Sequence, residues 1–297
     1  MRRTKYHKTK DEIKPDAILC ADLHLREDIP ICRIDDFQQA QWHKLMYIKI
    51  LQYKYDCPVL CAGDVFHHWK PSPYLLSKTI EHLPNEFWTI YGNHDIPQHN
   101  LDLFEKSGLF TLQKAGKIFI IDQGHFSIIP NKNQYNWSVK NKNLYVWHVM
   151  TYHKELPYPG CKESSAIQLL KKYPQFNLIV TGDNHKPFVV NYKGRLLVNP
   201  GSMTRQRVSE THKPRIYLWY AKTNSVEPIY LPCEENVISR EHIEIIEKRD
   251  KRMEAFIQSI NNDVETTINF EENLKRFAEK NNIRESIMNI IYKAIEK

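Results

Sequence analysis

Residues 17–25 read Ala-Ile-Leu-Cys-Ala-Asp-Leu-His-Leu, five apolar residues that run into Asp22 and His24. A run this short suits a strand buried on both faces rather than a helix. The pattern recurs along the chain. Val59-Leu60-Cys61-Ala62 leads into Gly63-Asp64, and Phe87 to Tyr91 leads into Gly92-Asn93-His94-Asp95. Leu144 to Trp147 precedes His148, and Leu178 to Thr181 precedes Gly182-Asp183-Asn184-His185. Arg195 to Val198 precedes Asn199-Pro200-Gly201-Ser202. Segments of helical period lie between several of these runs. From Asp35 to Tyr55, for example, Phe37, Trp42, Leu45, Ile48 and Leu51 form an apolar stripe, with Asp35 or Asp36 as the cap. Strands alternating with helices predict an α/β fold. Ligands of such sheets gather where the strands' carboxyl ends meet the loops, and every polar cluster sits at that end.

Further along, the pattern changes twice. Arg215 to Tyr220 and Val226 to Leu231 flank a turn near Thr223-Asn224-Ser225, which predicts a β-hairpin. Past Cys233, Ile243, Ile246, Met253, Ile257 and Ile260 repeat at helical spacing. Leu274 and Phe277 do the same, as do Ile287, Ile290 and Ala294. Asn269 with Glu272, and Asn282 with Glu285, resemble capping boxes. The expected organisation is an α/β domain over 1–235 and a helical region of about three helices over 236–297.

Composition narrows the function classes. The chain has 297 residues, 41% hydrophobic and 11% aromatic, which excludes a disordered chain. That length supports a large core without disulfide staples. No apolar run approaches a membrane span, and the basic start is followed by no signal-peptide core. The six cysteines form no CxxC pair, so the expectation is a reduced, cytoplasmic protein. The net charge is +7, from 42 Lys+Arg and 35 Asp+Glu. Residues 240–297 hold 11 basic against 12 acidic residues, so the basicity belongs to the α/β part. Its densest stretch, Lys186 to Arg215, has seven Lys+Arg and one Glu. Such runs are commonly solvated loops, but beside a phosphate site they grip backbone phosphates.

The strand ends supply a metal-binding inventory. Asp22, His24, Asp64, Asn93, His148, Asp183 and His185 offer carboxylate, imidazole and amide donors without thiolates. That mix suits Mn²⁺, Mg²⁺, Fe²⁺ or Zn²⁺. Seven donors are too many for one ion and fit two ions about 3.5–4 Å apart that share a carboxylate. His153 competes with His148, but only His148 directly follows its apolar run. Asp95 reads as orienting His94 or capping the next helix.

Taken in order, Asp22-x-His24, Gly63-Asp64, Gly92-Asn93-His94-Asp95, His148 and Gly182-x-x-His185 resemble the five motifs of the calcineurin-like metallophosphoesterases. The resemblance spans about 22–202. It implies a four-layer sandwich of two packed β-sheets flanked by helices, and it places the C-terminal helical region outside that sandwich. Its flanks, Ala21 to Leu25, Ala62 to Pro73 and Val198 to Gln206, are similar to the SbcD-type DNA-repair exonuclease branch. The resemblance implies one metal at Asp22, His24, Asp64 and His185. It implies a second at Asp64, as the bridge, Asn93, His148 and Asp183. It makes His94 catalytic, stabilising the transition state or protonating the leaving oxygen, and gives His67 a part in placing the DNA backbone. Lys70, Arg205 and Arg207 are the candidate DNA contacts.

The fifth motif departs from the usual Gly-His-x-His by carrying Asp183. The extra carboxylate favours Mn²⁺ or Mg²⁺ over Zn²⁺ and opens the alternative of a non-catalytic DNA-binding or scaffolding subunit. A phosphatase or phosphodiesterase of small molecules or nucleotides is the other alternative. The partners the resemblance implies are DNA and an SbcC-like, SMC-type ATPase docked on the C-terminal helices, with a homodimer also within its range and no membrane.

Overall fold

The apolar runs form strands, and each stops where its polar cluster begins. A computed structural model describes residues 14–121, 142–263 and 270–295. The chain divides into two units, Met1–Ser239 and Arg240–Lys297. The division falls beyond the expected 235/236. Ser239 N donates to Cys32 O at 2.8 Å and Ile238 bridges Arg33, which ties 236–239 to the first unit.

In the first unit, β1 (Ala17–Cys20), β2 (Val59–Cys61), β3 (Phe87–Thr89) and β4 (Phe119–Ile120) run parallel. The expected hairpin, β9 (Arg215–Tyr220) and β10 (Ser225–Tyr230), joins antiparallel at β1. The resulting six-stranded sheet has the order β10-β9-β1-β2-β3-β4. Pro228 lies in β10, an edge strand, where a missing N–H breaks no ladder. The second sheet has four strands, β5 (Leu144–His148), β6 (Leu178–Gly182), β7 (Phe188–Tyr192) and β8 (Arg195–Asn199), in the order β5-β6-β8-β7. Strands β5, β6 and β8 are parallel, and β7 returns antiparallel through Lys193-Gly194, both at positive φ.

Alternation along β1 shows how the layers form. Ile18 and Cys20 pack in one core with Leu45, Ile48 and Leu51 of α1 (Phe37–Tyr55). Ala17 and Leu19 face the other way, into a core shared with Leu144, Val146, Leu178 and Val180 of the second sheet. The outer face of that sheet packs Ile179 and Leu197 against Leu169 and Leu170 of α4 (Ala166–Lys172). Helix, sheet, sheet and helix give the expected four layers. Each fully buried side chain of this kind contributes about 1.5–3 kcal/mol. Asp36 caps α1, accepting from Gln39 N at 2.9 Å, while Asp35 pairs with Arg33. The sequence pattern does not mark α2 (Pro73–His82), α3 (Gly108–Lys114), α4, the two-residue β4 or the half-exposed β7.

The second unit contains α5 (Glu241–Asp263), α6 (Phe270–Lys280) and α7 (Glu285–Ile295). Leu274, Phe277 and Met288 are buried, and the Phe256 ring meets Phe277 edge-on at 5.2 Å. Ile246, Met253, Ile257, Ile287 and Ile290 are exposed. Asn282 does not cap the start of α7. It closes α6 in a left-handed conformation (φ 50°), with Ile283 N donating to Ala278 O at 2.9 Å. Asn269 and the basic residues 2–10 lie outside the described residues. Among the described residues no helix is long and apolar enough to cross a membrane.

Candidate metal centre

The parallel strands of both sheets point their carboxyl ends at one place, and the chain turns there under strain. Asp22, His24, Asp64 and Asp183 all adopt positive φ, between 43° and 73°. Such backbone costs on the order of 1–3 kcal/mol per residue and persists only where its surroundings enforce it. Here neighbouring loops do so. Asp22 N donates to Gly63 O, His24 N to Asp64 O, and Met203 N to Asp22 O, at 2.9–3.1 Å. Gly92 passes so close to Asp64 that a Cβ would overlap its carboxylate, which explains the glycine.

The seven donors converge. Asp64 Oδ2 lies 3.4 Å from His24 Nε2 and 3.3 Å from His148 Nε2. His24 Nε2 and His185 Nε2 are 3.1 Å apart. His148 Nε2 lies 2.7 Å from Asn93 Oδ1 and 4.0 Å from Asp183 Oδ1. Asp22 Oδ1 accepts from Asp183 N at 3.0 Å, while its buried Oδ2 has no hydrogen-bond partner among the described residues. Two triads, Asp22-His24-His185 and Asp22-Asp64-His148, each hold their ligand atoms within 4.8 Å of one another. An orphaned buried carboxylate oxygen beside two imidazole nitrogens aimed at each other is what a divalent cation would resolve. The donor set therefore fits metal.

Burial and pairing set the charge on each donor. Burial pushes the Asp22 carboxyl up to about 6. Asp64 is also pushed up by burial, but the His148 hydrogen bond and the His148 and His24 charges outweigh it and take it to about 2. Burial would lower His148, yet Asp64 and Asp22 lift it to about 10. Burial drives His24 well below the ordinary imidazole value, so it is neutral and ready to ligate. His148 points Nδ1 at Ala62 O (2.7 Å), so its Nδ1–H donates there and Nε2 is the ligand atom.

His94 and His67 sit on the cluster's edge. The His94 ring meets His24 edge-on at 4.8 Å and stacks on His67 at 5.3 Å. The His94 backbone N–H donates to Asp64 Oδ1 (2.9 Å), and its ring Nδ1–H donates to His67 O (2.7 Å). Asp95 neither orients His94 nor caps a helix. It is fully buried and accepts from Val65 N, Phe66 N and Gly92 N at 2.9–3.2 Å, clamping the second motif loop to the third.

A cavity of about 540 Å³ opens over the donors. Arg207 lines it, together with Arg26 and Lys186. Arg205 is not among its lining residues. Its guanidinium faces Cys233 Sγ and Glu234 O, both at 3.5 Å. Lys70 is exposed and also absent from the lining. One residue was missed altogether. Glu210, buried, accepts from His185 Nδ1 at 2.5 Å through Oε1, and from Gln206 N (2.5 Å) and Arg207 N (3.3 Å) through Oε2. It is the single acid of the basic stretch 186–215, and that isolation was its signal.

The family model of the calcineurin-like phosphoesterase superfamily domain matches residues 17–220. No curated protein sequence matches the chain. Among solved structures, an archaeal phosphodiesterase is 13% identical, with 72% of this chain and 99% of that one covered and a TM-score of 0.41. Vacuolar protein sorting 29 of Cryptosporidium parvum is 16% identical, covering 74% and 100%, with a TM-score of 0.35. The Entamoeba histolytica counterpart, complexed with Zn²⁺, is 16% identical, covering 72% and 97%, with a TM-score of 0.33.

Proposed function

Because this chain belongs to the calcineurin-like phosphoesterase superfamily, we propose that it hydrolyses DNA phosphodiester bonds as an exonuclease of the SbcD type. The observation that carries this reading is the pair of overlapping donor triads on the floor of an open cavity with Arg26, Lys186 and Arg207 in its lining. Two divalent ions bound there would supply Lewis acidity to the phosphoryl oxygens and a water of lowered pKa. Mn²⁺ or Mg²⁺ suits the three carboxylates best. The protein's residues do the rest. Lys186 and Arg207 hold the flanking phosphates. Water adds to phosphorus as the ester P–O bond breaks, and the departing oxygen needs a proton. His94, whose Nδ1–H is engaged by the His67 carbonyl, delivers that proton from Nε2. The exposed apolar residues of α5 support docking of the helical unit on an SbcC-like ATPase.

Duplex DNA labelled at either end, incubated with Mn²⁺ and with Mg²⁺, tests the reading. Stepwise shortening from one end is expected. The cavity volume suits a single nucleotide, which favours a nucleotide phosphodiesterase as the second reading. Hydrolysis of bis(4-nitrophenyl) phosphate with no cleavage of DNA would select it. No hydrolysis of either substrate would refute both.

A further inference from the structure

The cavity over the metal donors has two chemistries. Its floor is ionic, but one wall is apolar, built by Met150, Tyr152, Leu156, Tyr158 and Phe188. A phosphate gains nothing from such a wall, so the wall serves some other part of the substrate. It rises from the same strand ends as the ligands. Met150 and Tyr152 follow His148 at the end of β5, and Phe188 opens β7 three residues after His185.

The wall is also held in place. Asn184, between the two ligands of the fifth motif, donates from its side chain to Thr151 O at 2.8 Å. Thr151 is fully buried and donates to Ser164 O at 2.8 Å, and Tyr152 bridges Ser165. Tyr158 and Leu156 remain half exposed, at 50% and 52%, although they line a cavity. Exposed aromatic surface beside a phosphate site is the surface on which a nucleobase stacks.

We propose that this wall is a base subsite, which holds the unpaired terminal base of the substrate against Tyr158 and Phe188. The cavity of about 540 Å³ is the size of a single nucleotide, and a base must be unpaired to stack on the wall, so the substrate class is a frayed or single-stranded terminus or a nucleotide diester. The inference rests on the phosphodiesterase reading and adds to it a requirement for the base.

Two substrates that differ only in the base separate the two claims. One is thymidine 5′-(4-nitrophenyl phosphate), and the other is the same diester of abasic 1,2-dideoxyribose. In Mn²⁺ the base should raise kcat/KM by about 10-fold or more, chiefly through KM, as stacking of one base does. Tyr158→Ala should pull that ratio toward one. Tyr158 is half exposed, so the variant tests the subsite without opening the core, and Phe188→Ala serves as a second variant. Equal kcat/KM for the two diesters would overturn the subsite alone. A ratio unchanged in both variants would do the same. No hydrolysis of either diester would overturn the phosphodiesterase reading and the subsite with it.

Discussion

Glu210→Ala is the sharpest perturbation available at this centre, because Glu210 stands behind the ligand His185 and accepts from its Nδ1–H. Its carboxylate is 6% exposed and engages three N–H groups, one at each of His185, Gln206 and Arg207. Removing it frees the His185 ring to turn and strands two backbone donors. Carboxylates that orient a ligating histidine contribute about 10–100-fold in metal affinity, which is about 1.4–2.8 kcal/mol. The loss should fall on one ion. His185 shares its triad with Asp22 and His24, whereas His148 and Asn93 lie across Asp64. Calorimetric Mn²⁺ titration of the full chain should show one of two sites weakened about 10–100-fold and the other nearly unchanged. Glu210→Gln, which keeps an acceptor for Nδ1–H but loses the charge, should fall between. Thermal unfolding without metal controls for a fold defect. Two sites at wild-type affinity in Glu210→Ala would refute the reasoning, and so would equal weakening of both.

Asp64→Ala removes the oxygen that lies between His24 and His148. Elemental analysis should then find neither ion, and retention of both would refute the shared-carboxylate geometry. His94→Asn should lower cleavage by about 10²–10⁴-fold, the range for a general acid, while Mn²⁺ titration still finds two ions. Cleavage near the wild-type rate would remove His94 from the chemistry. Away from the site, Lys44 is 2% exposed, its ammonium lies 3.4 Å from Ala40 O, and burial lowers its pKa. A lysine lowered in the folded state favours folding least when protonated, below its folded pKa. Its penalty disappears as pH rises to the ordinary value of 10.5. Lys44→Met should therefore stabilise the protein by about 1 kcal/mol or more near pH 7 and by less toward pH 10.5. Denaturant melts at both pH values check this, and a gain that grows with pH would contradict it.

Much of this protein was legible along the chain. A buried strand and the polar residues that end it are contiguous, so Ala17 to His24 announced both a strand and two ligands, and the repetition of that pattern announced the sheets. The donors could be listed by residue type because metal chemistry selects carboxylate, imidazole and amide wherever they stand. Orientation is different in kind. Arg205 and Arg207 are two residues apart, yet the fold turns one toward Cys233 and the other into the cavity. Glu210 reaches His185 from 25 residues along the chain, beyond β7 and β8, and Asp95 clamps a loop about 30 residues upstream. The aromatic wall joins Tyr158 from one connection to Phe188 from another. The sequence alone settled the buried strands that end in polar clusters and the donors available there, because both depend on local pattern and side-chain chemistry. Which side chains share a ligand, a proton or a pocket depends on where distant loops return over the sheet ends, and only the tertiary structure decided that.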